Sequence, residues 1–349
     1  MVVSLPPTES SKIAFIYGSN VMKEKYERYK FSQEITSQIR DLTKLDNWHG
    51  LLALFENYFI ILTSILITSH VTWFFYPLAL LLIGSRQRAL ATLVHESAHG
   101  VLVKNKSLNW VLGTFCSGYL IFQQMIVYKK SHCSLHHRYL GNPELDPDFR
   151  LYREAGLYEP LSPRDFLLKH IIQPLLLLKV PRYLVYVVKH RLFSKEGNRH
   201  ESLIMFAYLL ILIGASIWLG FWDKLILFWL VPYITVFQVL GWFIELGEHY
   251  PLVGNSTVDL YMTRNRFSPW YEAFFTSMHG ENFHLVHHLL PSIPFWNLPK
   301  AHQILLTDAN YLRHNSQTGG IFCPANGAPS IVSSFIEYVR ESANYNTTV

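Results

Sequence analysis

The sequence predicts an all-α integral membrane protein, with four transmembrane helices in two hairpins and a cytoplasmic helical cap that carries clustered histidines. Three observations predict it. Half of the 349 residues are hydrophobic and 16% are charged, against about 25% in ordinary soluble domains. The apolar residues gather in two long runs. The basic residues and nearly all of the 17 histidines lie outside those runs. A mean hydropathy of +0.15, with 23 Phe, 20 Tyr and 9 Trp, argues against a disordered chain, a coiled coil or a nucleic-acid module. Three cysteines, Cys116, Cys133 and Cys323, form no CxxC pair, so neither a disulfide framework nor a thiolate zinc site is expected.

Residues 1–50 read as a cytoplasmic N-terminal segment, with an amphipathic helix over 20–44 at the membrane surface. They lack an apolar core followed by a small-residue cleavage site, so no secretory signal is expected and the first apolar run is expected to insert the chain. Residues 51–84 carry one charge, Glu56, in a stretch too long for a single crossing at ~1.5 Å per residue through ~30 Å of hydrocarbon. They read as a hairpin over 51–89 with its tip at Thr68–Thr72, the second helix running on past Arg86 toward His95. Residues 90–200 form a cytoplasmic region. Within it, 107–127 reads as a shallow re-entrant or interfacial piece and 165–193 as an interfacial segment. Residues 201–247 form the second hairpin, turning at 220–224, and 248–349 return to the cytoplasmic side, with a helix expected from Ile331. The whole, 1–349, reads as one domain. Seven Lys and Arg precede residue 51, seventeen lie between 86 and 200 and five follow 247, leaving only Lys224 at a hairpin tip. By the positive-inside rule the side bearing 29 of the 30 is cytoplasmic.

Sixteen of the histidines, all but His70, fall on that side. Eight stand in three groups: His95 and His99; His132, His136 and His137; His284, His287 and His288. Residues three or four apart share a helix face, so each group can converge on a metal, and a doubled histidine offers a ligand turned toward a neighbour. His249 is a ninth candidate, where the fourth span ends, with Glu245 one turn earlier as a ligand, a water-mediated ligand or an acceptor for His249. Imidazole suits iron, copper, zinc and nickel, and eight or nine nitrogens are too many for one ion, so two ions and a di-metal oxygen chemistry are implied. Glu96, Asp146, Asp148, Glu281 and Asn282 are near enough in sequence to orient imidazoles. His279 and His302 read as structural or supporting, and His49, His170, His190, His200 and His314 as ordinary interfacial or surface residues.

The three histidine boxes, their order after each hairpin, the run HHRYLGNPELDPDF and the setting GENFHLVHHLLPSIPFWNLPKAH resemble the membrane-bound fatty acid desaturase and hydroxylase superfamily over roughly residues 50–310. The resemblance implies a non-haem di-iron centre under a cytosolic cap on four helices, using O2 and two electrons on an unactivated C–H bond. It implies that His95, His99, His132, His136, His137, His284, His287 and His288 bind two iron ions. His249 resembles an extra histidine many members supply after their last span, and Glu245 stands where acyl-CoA desaturases have asparagine. The reaction expected is desaturation, in a lipid acyl chain, with hydroxylation or ketolation of a lipid, carotenoid or specialised metabolite as the alternative. No His-Pro-Gly-Gly haem motif is present, so a separate ferredoxin or cytochrome b5 is expected to supply electrons.

Two rival readings compete. His95-Glu-Ser-Ala-His99 satisfies the H-E-x-x-H pattern of zinc metalloproteases, which suggests an intramembrane protease but leaves the other histidines idle. A metal transporter would place ionisable residues through the middle of its spans, and here they gather at one end.

Overall fold

The structure is a computed structural model and describes residues 26–194 and 197–348. Among the described residues it is helical, with isolated bridges between Glu27 and Val258 and between Ala325 and Ala328 and no strand. The helix expected over 20–44 is shorter. Residues 20–25 lie outside the described residues, 26–32 are not helical, and α1 (Gln33–Ile39) begins where the Ser32 side chain accepts the Ile35 N–H.

The first hairpin pairs α2 (His49–His70) with α3 (Tyr76–His99). Pro77 sits in the first turn of α3, and Gly100, at φ 78°, ends it through N–H bonds to the carbonyls of Glu96 and Ser97. That stop leaves His95 and His99 in the last turns of the helix. The next stretch, α4 (Lys106–Ile121) and α5 (Met125–His136), bends by 96°, with Phe122 at φ 58° in the corner. After α6 (Pro147–Glu154), the pair α7 (Pro163–Leu175) and α8 (Val180–Leu192) bends by 73°. The second hairpin is α9 (Arg199–Trp218) followed by a helix from Trp222. Thr235, at φ −115° and ψ −90°, breaks that helix into α10 (222–234) and α11 (Val236–His249). The turn itself is shorter than expected, because Gly220 at φ 74° reverses the chain and helix resumes at Trp222. Beyond it come α12 (Trp270–Thr276), α13 (His284–Leu289), α14 (Leu298–Leu305), α15 (Ala309–Asn315) and α16 (Ile331–Thr348). The helix expected from Ile331 is present.

Among the described residues, three helices are long and apolar enough to cross a membrane: His49–His70, Arg199–Trp218 and Trp222–Asn255; counting each bent pair as a span makes five candidates. Their outer faces are apolar and uncovered, as with Leu52, Phe55, Phe59 and Leu62 on α2 and Leu203, Leu210, Ile211 and Ile217 on α9. Lipid is the solvent that suits such faces. α3 is not apolar along its whole length, because its second half buries polar residues. Arg86 donates to the Phe274 carbonyl at 2.7 Å and Gln87 to the Trp229 carbonyl at 2.8 Å. Helices in lipid gain nothing from exchanging lipid for each other, so they associate through close packing and polar contacts. Gly84 supplies the first of these: a Cβ there would lie 2.5 Å from Val236 Cβ, so α3 and α11 touch backbone to side chain.

Candidate metal centre

Nine histidines from α3, α5, α11 and α13 and their flanks meet at the polar end of the bundle. In His95, His99, His132, His137 and His287, one ring nitrogen from each lies within 4.8 Å of every other. His136, His249 and His288 form a second such group, and His284 joins it with its Nε2 2.9 Å from His249 Nε2. Two nitrogens bound at ~2.1 Å to one ion stand at most ~4.2 Å apart, so a small contraction brings each group to ligating distance.

The partition is not the one that helical spacing suggests. An α-helical turn would put His132 and His136 on one face, yet the chain from Lys129 to His136 is wound as a π-helix, and the His137 N–H reaches back to the His132 carbonyl at 3.0 Å. The wider turn brings His137 Nε2 to 3.0 Å from His132 Nε2 and sends His136 to the other group, its Nε2 3.4 Å from that of His288. Box three splits as well. His287 Nε2 lies 3.0 Å from His137 Nε2, while His284 and His288, one α-turn apart, have ring centroids 4.5 Å apart in the second group.

These nitrogens fit a cation better than they fit one another. A neutral imidazole has one donor and one acceptor, and here the Nε2 atoms of His95 and His99 are buried without a hydrogen-bond partner. Burial, reinforced by neighbouring imidazoles, holds His284, His287 and His288 well below the ordinary histidine range, which keeps them neutral with a lone pair to give. Carboxylates take the Nδ1 side of three rings. Asp146, fully buried, accepts from His136 Nδ1 at 2.9 Å, with Asp148 at 3.3 Å; Glu96 lies 3.2 Å from His95 Nδ1; and Glu248 lies 3.3 Å from His284 Nδ1. Each fixes the tautomer that leaves Nε2 free for a metal.

Asp146 does more than hold a ring. Its Oδ1 also accepts the N–H groups of Asp148 and Phe149, capping α6, and its Oδ2 accepts the Gly141 N–H at 2.9 Å. Glu248, which sequence reasoning did not select, is held in turn by Arg266, whose Nη2 lies 2.8 Å from Glu248 Oε1. Asn282 contributes through its backbone, its carbonyl accepting the Arg266 N–H at 2.8 Å. Glu245, expected to serve His249, is ion-paired with Arg88 at 3.2 Å, and Arg88 also holds Glu281 at 2.6 Å. The signal for Glu248 and Arg88 was in the sequence, as ionisable residues at the end of an apolar run; Arg266, well beyond the second hairpin, carried none. Which of them would face a histidine was not in the sequence.

Four further histidines have other partners, while His170, expected at an interface or surface, is buried with its Nε2 unpartnered. His49 bonds Asp46 at 2.6 Å, His279 pairs with Asn57 at 3.0 Å, His302 meets the Tyr311 hydroxyl at 2.7 Å and His314 the Thr263 carbonyl at 2.9 Å. The H-E-x-x-H reading requires Glu96 to activate a water. Both its oxygens are engaged, Oε1 by His95 Nδ1 and Oε2 by the Phe295 N–H at 2.9 Å.

A helical bundle with long apolar helices and histidine boxes meeting at one end is what the resemblance to the desaturase and hydroxylase superfamily implies. Comparison with known proteins is specific. The fatty acid desaturase family model matches residues 71–317, and the chain belongs to that family. It is 38% identical over 324 residues, 90% of this chain and 92% of the other, to the dihydrorhizobitoxine desaturase of Bradyrhizobium elkanii. It is also 25% identical over 213 residues, 60% of this chain and 40% of the other, to the zeaxanthin 4-ketolase of Chlamydomonas reinhardtii.

Proposed function

We propose that this enzyme is a di-iron desaturase that converts a saturated C–C bond to an alkene. His95, His99, His132, His137 and His287 would hold one iron and His136, His249, His284 and His288 the other. The five-and-four grouping of nine imidazoles carries the reading, because a single zinc site uses three or four ligands. The balance is R–CH2–CH2–R plus O2, two electrons and two protons giving R–CH=CH–R and two waters. Iron, when bound, supplies the reduction of O2 that hydrogen removal from an unactivated carbon needs.

The protein's own share is positional. Asp146, Glu248 and Glu96 hold three rings in one tautomer, and buried apolar neighbours such as Leu285 and Val286 exclude water from the histidine-bearing helix. The chain is read as a single domain, with segments 1–50, 51–89, 90–200, 201–247 and 248–349. α2, α3, α9 and the broken α10–α11 helix serve as four spans, and the basic, histidine-bearing side is cytoplasmic. A separate ferredoxin or cytochrome b5 delivers the electrons on that basic face.

For the substrate, the relative matched over 90% of this chain is named for dihydrorhizobitoxine and not for a fatty acid, so dihydrorhizobitoxine is the first compound to offer. Ketolation stands second, supported by the shorter match to a ketolase. The test is metal analysis of detergent-purified protein expressed with iron and zinc both available, beside His136→Ala. About two irons per chain, reduced in the variant, support the centre; one zinc, retained without His136, overturns it.

A further inference from the structure

A cavity of about 370 Å³ opens at the histidine-bearing end of the bundle, between the last turn of α3 and the two arms of the bent α4–α5 pair. That volume is in the range of small-ligand sites. The cavity is separate from the metal centre. Ser97, which lines it, stands two residues from both His95 and His99, about 200° around α3, so its side chain points away from theirs. Its floor is fixed: Ser97 Oγ donates to the Asn109 carbonyl at 2.8 Å, Asn109 Nδ2 donates to the Ser97 carbonyl at 2.9 Å, and a Cβ added at Gly113 would collide with Ser97 Oγ and Met125 Cε. With Ser97 and Asn109 engaged by each other, the free polar groups are two lysines. Lys106 from α4 and Lys129 from α5 line the same cavity, both are exposed, and neither is ion-paired among the described residues. The rest of the wall is apolar, from Trp110 and Met125, and Trp110 is exposed together with the chain neighbours Val111 and Ile126. Exposed tryptophan and bare aliphatic side chains next to unpaired lysines are the composition of the level where hydrocarbon gives way to headgroups.

We infer that this cavity binds the headgroup of an acidic phospholipid, with Lys106 and Lys129 on the phosphate and Trp110 and Met125 along the apolar stem. Two ammonium groups brought to one cavity repel each other, and a single anion between them replaces that repulsion with two attractions. A basic pocket between membrane helices, with apolar walls under its charged rim, suits an amphiphilic anion better than a free one. An acidic protein could meet the lysines but would leave the recessed wall of Trp110 and Met125 uncovered. The site also bears on the centre. Lys129 opens the π-wound turn that carries His132 and His136, and Ser97 lies between His95 and His99, so a bound lipid braces both segments from outside. The inference holds whichever metal those histidines bind.

Lipid binding tests it without turnover. Delipidated full-length protein in detergent is titrated with phosphatidylglycerol or with phosphatidylcholine of the same acyl chains, and bound lipid is counted by native mass spectrometry. Phosphatidylglycerol should bind roughly 10- to 30-fold more tightly. Lys106→Gln and Lys129→Gln should each cut that preference by a few-fold and together remove it, while the paired Lys106→Arg and Lys129→Arg substitutions keep it. Lys104→Gln, which removes an exposed charge that does not line the cavity, should leave it unchanged. Equal affinity for the two lipids, or a preference that survives loss of both lysines, overturns the inference. So does an equal loss in Lys104→Gln, which would mark diffuse surface charge. Inorganic phosphate that displaces phosphatidylglycerol at equal concentration would make this a free-anion site and overturn the lipid assignment. Unchanged lipid binding in the double glutamine variant, with a raised KM for a ferredoxin, would assign the lysines to protein docking instead.

Discussion

Replacing Asp146 by Asn separates holding a histidine from holding a helix. The carboxylate has two oxygens for four donors: Oδ1 takes His136 Nδ1 at 2.9 Å and the Asp148 and Phe149 N–H groups at 3.0 and 3.3 Å, and Oδ2 takes the Gly141 N–H at 2.9 Å. An amide has one acceptor oxygen. If it keeps the cap of α6, its NH2 faces the Gly141 N–H, donor against donor; if it flips, the NH2 faces His136 and the cap. Asn is as good a helix cap as Asp, so the cap itself survives in the first orientation. The loss is one buried hydrogen bond, about 1–3 kcal/mol of stability, together with the negative charge that raises the basicity of His136. Loss of such a supporting carboxylate weakens metal binding about 10–100-fold, or ~1.4–2.8 kcal/mol. The assay is iron retained against a graded series of chelator concentrations, read by elemental analysis, beside a thermal melt of the same samples. Asp146→Asn should release iron at a chelator concentration lower by that factor and melt somewhat earlier. Unchanged iron retention with a lowered melting temperature would refute a ligand-orienting role and leave Asp146 as a cap.

Other perturbations probe the remaining links. His136→Ala and His287→Ala, each taken from a different group, should abolish turnover and reduce iron content while expression and membrane insertion persist, which membrane fractionation and metal analysis check. Glu96→Gln should only weaken the enzyme, whereas a zinc protease would lose its general base and all activity, so residual O2-dependent turnover decides. Gly84→Val should lower the melting temperature, because even a Cβ lies 2.5 Å from Val236 and the hairpins must part; a cost of about 1–3 kcal/mol is expected for overpacking. His302 is buried against Tyr311 with its pKa pushed down to about 4 by desolvation, so it is neutral in the fold and protonates more readily when unfolded. Its stabilising share is complete above the unfolded value near 6.5 and is lost as pH falls toward 4, of order 2–3 kcal/mol in all. His302→Gln should flatten the fall in melting temperature between pH 7 and pH 4.5 relative to wild type.

Local sequence determined the inventory. Apolar run length predicted the helical hairpins, and three boxes with His249 supplied nine imidazoles at one end of the bundle, because helix formation, lipid preference and i, i+4 spacing all act within a few residues. Tertiary structure decided the partition. The π-wound turn from Lys129 to His136 pairs His132 with His137 instead of His136, and α11 and α13 complete the second group from 35 residues apart in sequence. It also chose the supporting cast, giving His284 to Glu248 and Arg266 and turning Glu245 away from His249 toward Arg88. The physical reason is that a metal site is satisfied by directions as well as residue types. The direction of each ring nitrogen depends on how separate helices are rotated and stacked, and only their packing fixes that rotation.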